Sequence, residues 1–275
     1  MGAVDFLAKP KIDIAATLHT YGDELIAKVK GASRATVHAL APDPAAATRP
    51  RDPNNSTLPG TSTVTVPPSR PRTIRTTDQI IAIGASTGGT EAIKAVLMGM
   101  AADCPGIVVA QHIPKAFSTS FAGRLNDTCP ITVDEAQDGQ QILAGHAYIA
   151  PGDRHLIVVR DGARYVCRLD DGQPVNRHKP SVDVLFHSVA RSAGQNAIGV
   201  LLTGMGRDGA KGLQDMHRCG SRTIAQDEAT SVVWGMPGEA VALQAVDHVL
   251  PIAEVAAHIR KLAEGMDVTK RVQAG

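Results

Sequence analysis

Apolar residues along this chain gather into short unbroken runs that alternate with stretches of helical spacing. Runs at 80–84, 107–111, 147–150, 197–203, 223–226 and 248–251 are bounded by Gly or Pro, and such runs predict strands buried on both faces. Between them, apolar residues recurring every three or four positions predict helices at 90–98, 116–125, 181–191, 209–217, 238–244 and 252–264. The alternation implies an α/β fold: a doubly wound, mostly parallel sheet with helices on both faces, a three-layer sandwich. Near the middle, HLIVVRDGARYVCRL sets an Asp-Gly turn between two β-rich runs, so an antiparallel hairpin is expected and with it a mixed sheet.

The pattern breaks ahead of this unit. Residues 3–8 read as a strand and 15–30 as a helix with Leu18, Leu25, Ile26 and Val29 on one face, too little for an independent domain. From 35 to 75 Pro, Thr, Ser and Ala dominate and large apolar residues are scarce, which is the composition of a linker. The expected organisation is therefore a small N-terminal piece at 1–34, a linker at 35–75, a main domain at 76–265 and a tail at 266–275. A length of 275 residues leaves room for one sizeable core.

Charge narrows the function little: a formal net charge of +1 makes no electrostatic case for nucleic-acid or anionic-membrane binding. Cys104, Cys129, Cys167 and Cys219 lie far apart, with neither a zinc spacing nor a secreted disulfide framework, so a reducing cytoplasm is expected. The opening MGAVDFLAKP has no basic segment followed by an apolar one, and no run approaches the roughly 20 apolar residues of a membrane span. Neither secretion nor membrane insertion is expected.

Chemistry concentrates at three strand ends. In IIAIGASTGGTEAIKAVL a buried-type strand runs through Gly84, Ala85, Ser86, Thr87, Gly88 and Gly89 into a helix. Such a turn holds a hydroxyl beside the free amides of a helix start, so Ser86 is a nucleophile candidate, and Thr87 with its neighbouring amides a candidate for facing developing negative charge. Equally, Ser86 is placed to cap the helix. IVVAQHIP carries His112 to the same sheet edge one strand later, where it is a candidate general base or a turn residue before Pro114. GVLLTGMGRDGAKG ends a third strand in glycines and places Asp208 shortly before a helix. Asp208 is suited either to orient an imidazole or to cap that helix. The Thr203–Gly206 backbone, the Met205 N–H in particular, is a candidate oxyanion donor.

Three complementary side chains at the ends of three predicted parallel strands favour the catalytic reading. Their order, Ser then His then Asp, differs from the Ser, Asp, His order of α/β-hydrolases. A phosphate or dinucleotide site is disfavoured, since GASTGGT matches neither GxGxxG nor GxxxxGK[ST], and Gln111-His112 stands where a ribose-binding fold has an acidic residue. His155, His178 and His187, and the apolar loop with Trp234, Met236 and Pro237, are weaker candidates for substrate contact; packing or turn roles suit them at least as well.

Together GASTGGTEAI, AQHIPKAFSTSFAGRLN, HKPSVDVLFHSVA, LLTGMGRDGAKG and AQDEATSVVWGMPGEAV resemble the chemotaxis protein-glutamate methylesterases of the CheB type, over roughly residues 78–264. The resemblance implies Ser86 as nucleophile, His112 as base, Asp208 as its orienter and Met205 at the oxyanion position. It implies a glutamyl methyl ester of a chemotaxis receptor as substrate, methanol as product, deamidation of receptor glutamines in many relatives, and no metal or organic cofactor. The segment GAVDFLAKP with its helix resembles the last strand and helix of a response-regulator receiver domain, with Lys9 at that family's lysine. The receiver's other strands and its phosphate-accepting aspartate are missing, so this piece reads as a remnant unable to support phosphorylation control; a chemotaxis histidine kinase is the partner implied for full-length relatives. The alternative is a non-catalytic signalling-array module of the same fold.

Overall fold

The computed structural model of the protein describes residues 79–273 and Val29. The expected strand at 3–8, Lys9 and the linker at 35–75 lie outside the described residues; of the expected helix at 15–30 only Val29 is described, and it is helical. The order of elements is β1 (Ile80–Ala85), α1 (Gly89–Met98), β2 (Gly106–Gln111), α2 (Lys115–Thr128), β3 (Thr132–Glu135), β4 (His146–Ile149), β5 (His155–Asp161), β6 (Arg164–Asp170), α3 (Val182–Ala193), β7 (Ala197–Leu201), α4 (Ala210–Arg218), β8 (Arg222–Gln226), α5 (Met236–Ala242), β9 (His248–Leu250) and α6 (Ile252–Gln273).

Seven strands form one sheet in the order β3-β4-β2-β1-β7-β8-β9, and every pairing in it is parallel. The expected mixed sheet is therefore corrected: β5 and β6 form a separate two-stranded sheet, and β6 is bridged on its other side by the segment around Gln141 and not by a strand of the main sheet. The hairpin is anchored on α3, where Ser188 Oγ accepts from Val158 N–H at 2.9 Å and Ser192 Oγ donates to Val158 C=O at 2.8 Å. Strand β3 escaped the sequence pattern because TVDE is a half-exposed edge strand with a single buried residue, Val133. Helix α6 continues beyond residue 264 into the expected tail.

Every residue of the central strands β1, β2 and β7 is buried, as a parallel sheet covered on both faces requires. Alternation splits the core in two. Ile81, Ile83 and Ala85 face α1, α2 and α6, whereas Ile80 and Ala82 face α3, α4, α5 and the hairpin. Strand order reverses direction at β1, with β2 on one side and β7 on the other, and in doubly wound sheets the crevice beyond the strand ends at that reversal is the natural ligand site.

Helix α3 packs against the second face through Val182, Leu185, Phe186, Val189 and Ala193, buried at helical spacing. Phe186 is fully enclosed. Phe186→Ala should lower the unfolding free energy by about 3–5 kcal/mol. The check is a drop in the urea midpoint with an unchanged m-value; a loss under about 1 kcal/mol would mean the site collapses onto the gap.

Candidate active site

The sheet ladder itself brings two of the expected residues together. Gly84 and Ala85 are in register with Ala110 and Gln111, and the bonding runs on past the strands: His112 N–H donates to Ala85 C=O at 3.2 Å and Ser86 N–H to Thr203 C=O at 3.0 Å. Ser86 and His112 thus leave adjacent strands side by side. Their side chains meet, with Ser86 Oγ 3.0 Å from His112 Nδ1. The buried Gln111 amide fastens the pair from beneath, its Nε2 donating to Ser86 C=O at 2.9 Å and to His112 C=O at 3.1 Å.

The other edge of the imidazole bonds to Asp208: His112 Nε2 lies 2.8 Å from Asp208 Oδ2, with 8 % and 1 % of the two side chains exposed. A carboxylate accepts only, so the proton on Nε2 points to Asp208 and Nδ1 keeps its lone pair toward Ser86. The line can therefore draw the hydroxyl proton onto the ring as Ser86 attacks, while the carboxylate steadies the resulting imidazolium. Asp208 was also a candidate cap for the helix that follows it. It caps a different one: its oxygens accept from Val182 N–H at 2.7 Å and Asp183 N–H at 3.3 Å at the start of α3, and from Ser181 Oγ at 2.8 Å. That approach requires Gly84, because a Cβ there would collide with Val182 Cγ1.

Burial alone would raise the Asp208 pKa, but the hydrogen bond and charge of His112, with the bonds from Asn176 and Ser181, outweigh it and hold the carboxyl below the usual range. No cysteine competes as a thiolate in the interior, where burial pushes Cys104 up to about 11 and Cys167 up to about 12.

Around the line, Gly88 at φ 79 takes the left-handed conformation that lets the chain turn from β1 into α1 directly after Ser86 and Thr87. Thr203 Oγ1 holds this turn through Thr87 C=O at 3.0 Å. The Met205 N–H makes no hydrogen bond among the described residues. Of the weaker candidates, His178 does reach the site, its ring stacked on His112 at a centroid distance of 3.7 Å. His155 is buried, bridging Gln173 C=O and Ser181 N–H, and His187 pairs with Asp215 between α3 and α4. Met236 and Pro237 are core residues, and Trp234 Nε1 donates to Gln226 C=O at 3.0 Å. Asn176 went unnoticed in the sequence, although it donates to Asp208 Oδ1 at 2.7 Å; it lies two residues ahead of the HKPSVDVLFHSVA motif.

Among the described residues no group of three His, Cys, Asp or Glu side chains is arranged to hold a metal ion, and no helix is long and apolar enough to cross a membrane. Residues 81–259 match the family model described as CheB methylesterase. A protein-glutamate methylesterase/protein-glutamine glutaminase of Xanthomonas campestris is 52 % identical over 263 residues, covering 96 % of this chain and 71 % of that protein. One of the same name from Hydrogenovibrio crunogenus is 51 % identical over 268 residues, covering 93 % and 71 %. The crystal structure of the Thermotoga maritima CheB methylesterase catalytic domain superposes with a TM-score of 0.66 at 37 % identity, over 67 % of this chain and 98 % of that one.

Because the Asp208 carboxyl titrates lower folded than unfolded, its contribution to stability is complete above the unfolded value of about 3.9 and fades as pH falls toward the folded value. Asp183, raised chiefly by burial, acts in the opposite sense. Asp208→Asn should therefore flatten the decline in unfolding free energy between about pH 5 and pH 2. Urea titrations across that range check it, and a slope equal to wild type would remove Asp208 as a source of acid sensitivity.

Proposed function

The chain belongs to the CheB methylesterase family, and on that footing we propose that it is a serine hydrolase that removes methyl esters from glutamate side chains of chemotaxis receptors, releasing methanol. Deamidation of receptor glutamines belongs to the same proposal, since the relatives carry both activities in their names and amide and ester carbonyls undergo the same attack.

The observation that supports it best is the unbroken Ser86–His112–Asp208 line at the strand-order reversal. Ser86 Oγ attacks the ester carbonyl while its proton passes to His112 Nδ1, and the Nε2 proton remains directed at Asp208. The oxygen of the tetrahedral intermediate faces the backbone amides near Thr87 and that of Met205, whose N–H lacks an internal acceptor among the described residues. Collapse returns the proton from Nδ1 to the departing methoxide, releasing methanol and leaving a glutamyl ester on Ser86. A water deprotonated by the same nitrogen then hydrolyses it. With glutamine, ammonia leaves in place of methanol.

A non-catalytic module of this fold would have no use for a buried carboxylate held against a serine-facing imidazole, so the line favours the enzyme. The reading places the work on the cytoplasmic region of receptors, with 1–34 as a receiver remnant and 35–75 as a linker. For relatives with a complete receiver it carries a chemotaxis histidine kinase as upstream partner.

Methanol release from methylated receptor membranes tests it. Ser86→Ala should abolish turnover, and Asp208→Asn should keep the fold yet lose on the order of 10⁴-fold in kcat, because the imidazole tautomer is no longer held. Equal rates for wild type and Ser86→Ala would end the serine mechanism.

A further inference from the structure

Behind the imidazole two carboxylates are buried close together. Asp183 is 4 % exposed and Asp208 1 %, and the side-chain amide of Asn176 stands between them, donating to Asp183 Oδ2 and to Asp208 Oδ1 at 2.7 Å each. An amide NH₂ carries two hydrogens, so each carboxylate takes one. Resting on the serine-hydrolase reading, we propose that Asn176 is a positioning residue: it keeps Asp208 available to His112 by preventing the second buried carboxylate, Asp183, from competing for it.

Two ionised carboxylates at this depth repel, and the relief open to them is for one to take a proton and donate it to the other. Asp183 is the one inclined to do so. Burial and the Asp208 charge push its proton affinity up, against Gly212 N–H, which donates to Asp183 Oδ1 at 2.7 Å, and against Asn176. A protonated Asp183 turned toward Asp208 would draw off the negative charge that steadies the His112 imidazolium. By satisfying both anions at once, Asn176 removes the reason for that proton to arrive.

The residue is delivered by a tight turn. Val175 and His178 exchange backbone bonds, at 3.1 Å and 2.9 Å, around Asn176 and Arg177, both left-handed with φ of 51° and 69°. Asn is among the few side chains at ease there, and Gly more so. The same turn seats the His178 ring on His112. Asn176→Gly therefore keeps the backbone and deletes only the amide.

Two readouts test the proposal: kcat and KM for methanol release, and the rate at which a fluorophosphonate labels Ser86. Asn176→Gly should lower kcat and the labelling rate on the order of 10- to 100-fold with KM little changed. Added to Asn176→Gly, Asp183→Asn should restore most of both rates, since the new amide still accepts from Gly212 N–H and removes the competing charge. Asp183→Asn with Asn176 intact should be impaired, because either way round one amide NH₂ meets another donor. The two substitutions are thus coupled and not additive. Labelling of Asn176→Gly at the wild-type rate, or a double variant no faster than Asn176→Gly, would overturn the inference. Ser86→Ala separates the levels: if it is inactive, those results count against Asn176 alone, whereas turnover surviving in it would sink the serine mechanism and the inference together.

Discussion

The site depends on keeping one carboxylate charged where water scarcely reaches it. Asp208 is 1 % exposed, and an isolated ion at such depth would take a proton instead. It stays charged because the fold surrounds it with donors of different origin: the His112 ring, the Ser181 hydroxyl, the Asn176 amide and the first backbone amides of α3. The helix dipole adds to these, since the start of α3 presents its positive end. Remove the set and the carboxylate has no ground for being ionised, and the imidazole has no fixed tautomer.

Much of the architecture serves to make that meeting possible. The parallel ladder aligns Ser86 with His112, and the reversal of strand order at β1 opens the crevice into which β7 sends the loop bearing Asp208. Helix α3 arrives over the same face because Gly84 leaves space for Val182. The hairpin β5–β6, apart from the main sheet, holds α3 through Ser188 and Ser192. Phe186, remote from the chemistry, is part of the packing beneath that helix.

This division also clarifies why related chains carry both an esterase and a glutaminase name. The proposed chemistry asks of the site an activated hydroxyl, amides to receive an oxyanion and a nitrogen to protonate the leaving group; none of these distinguishes methoxide from ammonia.

The strands and helices of the main domain other than β3 were legible in the chain, because burial leaves apolar runs and helical spacing that no distant contact is needed to read, whereas the half-exposed β3 leaves none. Ser86 and His112 were legible for the same reason, each sitting where an apolar run stops, and Asp208 by its place in the glycine-rich loop that follows a third run. Tertiary structure alone decided which ring nitrogen of His112 faces which partner, that Asp208 caps α3 and not the helix after it, that the hairpin leaves the main sheet, and that Asn176 joins two buried carboxylates. Those outcomes hang on contacts between residues far apart along the chain, as Asn176 is from Asp208 and Val158 from Ser188. A local pattern records which face of an element is buried; it carries nothing about which other element comes to bury it.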